Sequence, residues 1–199
     1  DYSLEFDGVD DYVTIQNNST LQFNSNFSIS LDFISDTFTG DNIVGLLTKA
    51  TSGGSAKGWY LGFRDTQELI FNMFDTDGST GTYYLVPGGD YMDGNWHNVI
   101  VNVDFENNFM EMFVDNQSVA SENTAFVDFQ NDSFDINTDT PLVIGRARNG
   151  DTDYFQGHID NVSIDYGETV NYKFNAGSGD ILYDHSGNQN HGTLMNMDD

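Results

Sequence analysis

"FSISLDF" (residues 27–33) decides the fold class. In an extended chain Phe27, Ile29, Leu31 and Phe33 fall on one face and Ser28, Ser30 and Asp32 on the other. Strand side chains alternate between faces, so this pattern is a strand with one buried side. The same period-two pattern continues in "VIVNVDF" (99–105), with Val99, Val101, Val103 and Phe105 on one parity. It recurs in "MEMFV" (110–114) through Met110, Met112 and Val114, and in "ELIFNMF" (68–74) through Leu69, Phe71 and Met73. Turn-forming clusters separate these runs, among them "TSGGSAKG", "DTDGSTG", "VPGGDYMDGN" and "RNGDTD". Two prolines and twenty glycines suit many short strands joined by turns. No stretch shows a helical period. The class is all-β, two packed antiparallel sheets.

Composition narrows the partners. The 199 residues fit one all-β domain, and sixteen Phe and ten Tyr can fill its core. Six Lys plus Arg against 32 Asp plus Glu give a formal charge of −26, which excludes nucleic acid and anionic membrane surfaces as partners. The same charge favours cations. With no cysteine there is no disulfide framework, and no apolar run reaches membrane-spanning length. A chain that opens "DYSLEF" without an initiator methionine reads as a piece of a longer one.

Two places break the alternation, and both carry aspartates. Leu4 and Phe6 have one parity and Val13 and Ile15 the other, so "DGVDDY" should hold a bulge or short loop. Later, Phe155 and Ile159 are odd while Val162 and Ile164 are even, and Asp160 shares the second parity. That reading turns Asp160 inward, where a carboxylate needs a partner or a metal.

Taken in order, "LEFDGVDDYVTI" (4–15), "FSISLDF", "GNWHNVIVNVD" (94–104), "MFVDNQSVA" (112–120), "PLVIGR" (141–146) and "FQGHIDNVSI" (155–164) resemble a laminin-G-like domain. The parent group is the concanavalin A-like lectin/glucanase superfamily, and the narrower likeness is to its bacterial and viral pentraxin-like branch. The resemblance implies a jelly-roll β-sandwich over residues 1–168, often with structural calcium, in an extracellular or cell-surface protein, virion surfaces included. It implies a recognition role, with a glycan or cell-surface receptor and the neighbouring domains of the parent protein as partners. "NYKFNAGSGDILYDHSGNQNHGTL" (171–194) resembles the stretch that precedes "FDGVDDYV" in such domains. Here it follows the sandwich, in a C-terminal segment spanning 169–199. It either begins the next unit of a tandem array or folds back to fill the leading place, in its own sandwich or a neighbour's. Fold-back requires Tyr172 and Phe174 to be buried.

Candidate site residues follow from chemistry. Calcium takes six to eight oxygens. "FDGVDD" offers Asp7, Asp10 and Asp11 around a glycine. The preferred ligands are Asp7 and Asp11 with the Gly8 carbonyl, and Asp160 joins them if the first and late strands are neighbours, as the resemblance implies. The alternative is a set of turn residues capping backbone N–H groups. "DHSGNQNHG" spaces Asp184, Ser186, Asn188 and Asn190 at every second position but lacks a terminal Glu, so a loop tied by its own side chains is the simpler reading. "DTDGS" (Asp75, Asp77) and "NGDTD" (Asp151, Asp153) are weaker ion candidates. His97 and His158 read as structural, and no histidine spacing suits zinc. For sugar stacking, the outward Tyr60 and Arg64 of "KGWYLGFRD", together with Tyr84 and Tyr154, form the candidate carbohydrate set. Trp59 and Trp96 are assigned to the core, and Arg146 and Arg148 to the neutralisation of aspartates. The nearest approach to a paired-carboxylate hydrolase motif, Glu5, Asp7 and Asp10 in "EFDGVD", is interrupted by glycine. The expectation is a non-catalytic, calcium-binding module that recognises carbohydrate. Its rivals are a structural spacer or adhesin repeat without a ligand, and a glycan-cleaving enzyme.

Overall fold

The computed structural model describes residues 2–38, 40, 42–52, 56–75, 81–123, 134–147, 153–167, 169–175 and 178–197. Asp77, Arg148 and Asp151 lie outside the described residues. The strands are β1 (Leu4–Asp7), β2 (Tyr12–Ile15), β3 (Phe27–Ile34), β4 (Ile43–Ala50), β5 (Lys57–Arg64), β6 (Leu69–Asp75), β7 (Gly81–Leu85) and β8 (His97–Asp104). They continue as β9 (Phe109–Val114), β10 (Gln117–Asn123), β11 (Leu142–Ile144), β12 (Gln156–Asp165), β13 (Val170–Tyr172), β14 (Ile181–Leu182) and β15 (Gly192–Met195).

They form a jelly-roll sandwich of two antiparallel sheets. One sheet runs β1-β12-β3-β8-β9-β10, with β13 also paired to β12; the other runs β14-β15-β2-β11-β4-β5-β6-β7. The parity read in the sequence sets the interior. Ile29, Leu31, Phe33, Val99, Val101, Met110 and Met112 from the first sheet meet Val13, Leu47, Trp59, Leu61, Phe63 and Phe71 from the second in one core. Trp59 is fully buried against Phe23, Phe27 and Phe71.

Both breaks in alternation have structural causes. The first is a change of sheet: β1 lies in one and β2 in the other, and "DGVDD" carries the chain between them with Gly8 in the left-handed region at φ 78°. The second is a bulge in β12, where the register against β3 shifts between Asp160 and Ser163 and Asn161 adopts φ 50°. The extra residue sits after Asp160, so Asp160 keeps the phase of buried Ile159 and points outward, opposite Asp32. The inward reading of Asp160 is corrected by one residue of bulge placement.

The C-terminal segment joins both sheets. β13 pairs with β12 beyond the bulge, while β1 pairs with β12 before it, so the first and a late strand share one edge of β12. β15 then pairs with β2 in the other sheet. Tyr172 is fully buried and Phe174 nearly so, and the Tyr172 hydroxyl donates to the Asn190 carbonyl. Within "DHSGNQNHG", Asp184 Oδ1 accepts the N–H groups of Asn171 (3.0 Å) and Ser186 (2.9 Å). Its Oδ2 accepts the Ser186 hydroxyl (2.7 Å) and the Asn190 N–H (3.0 Å). A carboxylate has about four acceptor sites, so this one is spent on fastening its own loop.

Candidate functional site

The two sheets treat their outward residues differently. On the eight-stranded sheet, Tyr60, Ile70 and Phe74 point away from the main core and form a second apolar cluster with Ala50 and Ala56, packed against Ile43 and Val86. On the seven-stranded sheet, the outward residues of β3 and β8 are Ser28, Ser30, Asp32, Ile34, Asn98, Ile100, Asn102 and Asp104, half-buried or exposed. At one end of this second face lies a cleft of about 470 Å³ lined by Tyr2, Ser3, Asp32, Trp96, His97, Asn98, Asp115 and Asp160.

Strand register builds the floor of the cleft. Asp32 stands opposite Asp160 on one side and Asn98 on the other, which sets carboxylate, carboxylate and amide in one row across three strands. Asp32 accepts the Asn98 amide at 2.6 Å and the Asn161 amide at 2.8 Å. Asp160 accepts the Asn161 N–H at 2.7 Å and the same side-chain amide at 3.2 Å. Among the described residues, no ion pair reaches either carboxylate. Burial pushes the Asp160 carboxyl above its usual range and the charge of Asp32 adds to this, against the Asn161 N–H.

One wall is aromatic. Trp96 immediately precedes β8 with the parity of Asn98 and Ile100, so it faces outward and is 49% exposed. Its ring lies 6.3 Å from that of His158, whose Nδ1 meets the Ser3 hydroxyl at 3.2 Å. Tyr2, more exposed still, stands at the rim. Trp96 corrects its assignment to the core: the alternation of "WHNVIV" already pointed it outward. Beneath the wall, His97 is buried, with Nδ1 2.8 Å from Asp115 and Nε2 3.1 Å from Asp93. Burial alone would lower this imidazole, but the two carboxylates outweigh it and raise it.

The four sugar-binding candidates from the sequence do not converge. Tyr60 and Tyr154 are each 5% exposed, so neither offers a ring face to a ligand. Tyr60 is outward as its parity requires, yet the second apolar cluster covers it. Tyr154 lies beside Tyr12, whose ring also carries the Arg146 guanidinium at 3.9 Å. Arg64 is engaged by Glu68. Tyr84 is exposed on β7, in the eight-stranded sheet and away from the cleft.

The metal candidates separate too. Asp7, Asp10 and Asp11 bring carboxylate oxygens within 4.8 Å of one another. Asp7 Oδ1 accepts the N–H groups of Val9 (2.7 Å) and Asp10 (3.2 Å), and Asp11 Oδ2 accepts the Asp7 N–H (2.9 Å). Burial would raise the Asp7 carboxyl, but these backbone donors win and hold it below the usual range. Asp160 does not join them. Asp7 is registered with Gln156, four residues from Asp160, about 13 Å along the strand.

Comparison with known proteins places the chain. Over 65 residues it is 35% identical to the non-toxic nonhemagglutinin type A of Clostridium botulinum, which covers 33% of this chain and 5% of that protein. The chain therefore spans a small part of the curated relatives it matches. Among solved structures, a candidate carbohydrate binding protein from Bacteroides ovatus superposes with a TM-score of 0.70 at 16% identity, covering 96% of this chain and 57% of that one. The sialidase module CBM40 of Ruminococcus gnavus, bound to α2,3-sialyllactose, superposes with a TM-score of 0.55 at 15% identity, covering 79% of this chain and 88% of that one. The fold thus resembles carbohydrate-binding modules and lectin-like domains. A laminin-G family model, described as concanavalin A-like lectin/glucanases superfamily, matches residues 7–168. The chain belongs to that family.

Proposed function

We propose that this domain is a non-catalytic recognition module whose ligand is a carbohydrate bound in the Trp96 cleft. The exposed Trp96 ring beside the row of Asp160, Asp32 and Asn98 carries this reading. A pyranose binds protein by stacking an apolar face on an aromatic ring while polar side chains take its hydroxyls, and this cleft offers both. Asp32 and Asp160 stand side by side in register and share the Asn161 amide. Glycoside hydrolysis needs carboxyls that flank the bond, so this pair suits holding better than cutting. A glycan array with wild-type protein and Trp96→Ala tests the reading: binding that vanishes in the variant supports it. Glycans that bind both proteins alike favour another surface, and no binding at all favours the structural spacer. Release of reducing sugar would restore the enzyme reading.

Calcium is the proposed cofactor, held by Asp7, Asp10 and Asp11 with the Gly8 carbonyl, and without Asp160. The donors are hard oxygens, which fits this ion. It would fix the crossover between the two sheets. Melting with calcium and then with EDTA tests it, because an ion bound to the folded state alone must raise the melting temperature. An unchanged melting temperature would remove the site. The tail 169–199 is read as a leading segment displaced to the C-terminus, which its position beside β1 along β12 supports. Among the described residues no helix is long and apolar enough to cross a membrane, and an extracellular or cell-surface setting is part of this proposal.

A further inference from the structure

The two sheets of the sandwich differ in charge as well as in cover. β1, β3, β8, β9, β10, β12 and β13, which make up the seven-stranded sheet, contain no Lys or Arg. Their acidic residues include Asp32, Asp104, Glu111, Asp160 and Asp165. The strands of the other sheet contain Lys49, Lys57 and Arg64, with Asp75 as their one acidic residue. The field is therefore negative on the side of the bare face, and the cleft is one of the places where that face is recessed and the field is focused.

Within the cleft, neutral donors use only part of the acceptor capacity of the carboxylates. Asp32 and Asp160 each accept two amide hydrogen bonds, against about four acceptor sites on a carboxylate. His97 brings no compensating charge to them, because Asp93 and Asp115 hold both of its ring nitrogens. The charge of Asp32 raises the cost of ionising Asp160, and a cation placed between them removes that cost. Trp96 adds an exposed aromatic face, which attracts cations as well as stacking on sugar rings. Carboxylate pair, indole and pyranose-sized cleft together match one chemistry: a sugar bearing a protonated amine.

We infer that the cleft selects amino sugars with a free amine, of the glucosamine type, over their N-acetylated and acidic counterparts. This rests on the carbohydrate reading above. It sets the chain apart from the R. gnavus module bound to sialyllactose, whose ligand carries a carboxylate. Asp32 and Asp160 would repel such a group.

The test is calorimetric titration with a glucosamine tetramer, the N-acetylglucosamine tetramer, sialyllactose and tetralysine, at pH 6 and low salt. The glucosamine tetramer should bind at least about tenfold more tightly than the N-acetylated one, as charge-assisted contacts require, and sialyllactose should not bind. The preference should shrink in 0.5 M salt, and Asp32→Asn with Asp160→Asn should bring the ratio towards one while melting shows the variant folded. Equal affinity for the two tetramers would overturn the inference and leave the carbohydrate reading standing. Silence from every sugar would sink both. Tetralysine binding in place of the amino sugar would overturn the inference in favour of a basic peptide.

Discussion

Tyr60, in the middle of β5, and Trp96, just before β8 of the opposite sheet, both point away from the shared core. Tyr60 is buried beneath a second apolar cluster, whereas Trp96 stands in an open acidic cleft. Alternation along a strand fixes direction and says nothing about what lies over it. The eight-stranded sheet has apolar outward residues, Ile70 and Phe74 among them, and neighbouring segments close over them. On the seven-stranded sheet the outward residues of β3 and β8 are mostly serines, asparagines and aspartates, whose desolvation would cost more than cover would return. One face is covered architecture, and the other is the face proposed to take a ligand.

The comparison breaks most directly at Tyr60. Tyr60→Ala empties a covered site and should cost about 3–5 kcal/mol in urea unfolding, as large-to-small changes do, with glycan binding unaltered. A loss of binding without a loss of stability would mean that the wrong face has been chosen.

Asp184→Ala should cost about 2–3 kcal/mol, because four donors lose their acceptor at once. Asp184 and Asp160 contrast as the two faces do: the first is saturated by its own loop, the second only partly satisfied. EDTA should act the same on the Asp184→Ala variant and the wild type.

Titration offers further tests at the cleft. His97 binds its proton better when folded, so its contribution is complete below the ordinary value of 6.5 and is lost as pH rises through the raised one. On the acid side, burial would raise the Asp115 carboxyl, but His97 and the Asn98 N–H hold it low; that contribution is complete above 3.8 and lost as pH falls through the lowered value. His97→Asn should therefore flatten the decline in stability above pH 6.5, measured by melting at successive pH. Asp160 is raised, so the folded state loses its advantage as pH climbs from 3.8 through the folded value. Asp160→Asn should then melt slightly higher at pH 7, by less than about 1 kcal/mol. A lower melting temperature would show that the carboxylate is a structural anchor instead.

Much of the fold was legible because burial imposes a period of two. Phe27 to Phe33 and Val99 to Val103 could not satisfy any other backbone, and the order of motifs pointed to the jelly roll. The site was less legible. Asp160 was misread because a parity shift locates a bulge only to within a few residues, and the left-handed Asn161 settled it. Tyr60 was misread because alternation gives direction and not cover, which is supplied here by the cluster it forms with Ala50, Ala56, Ile70 and Phe74. Trp96 was a readable miss: its parity with Asn98 already turned it outward, and an aromatic at an outward position beside acidic neighbours is the signal that finds the cleft.

Trp96→Ala, like Asp160→Asn, is expected to change stability by less than about 1 kcal/mol, since the ring is half exposed. The most direct test of the account is the binding isotherm of this variant beside wild type, for a glycan that wild type binds. The account requires at least about a tenfold loss of affinity at an unchanged melting temperature. Equal isotherms would contradict it, because the glycan would then be held on a surface other than this cleft.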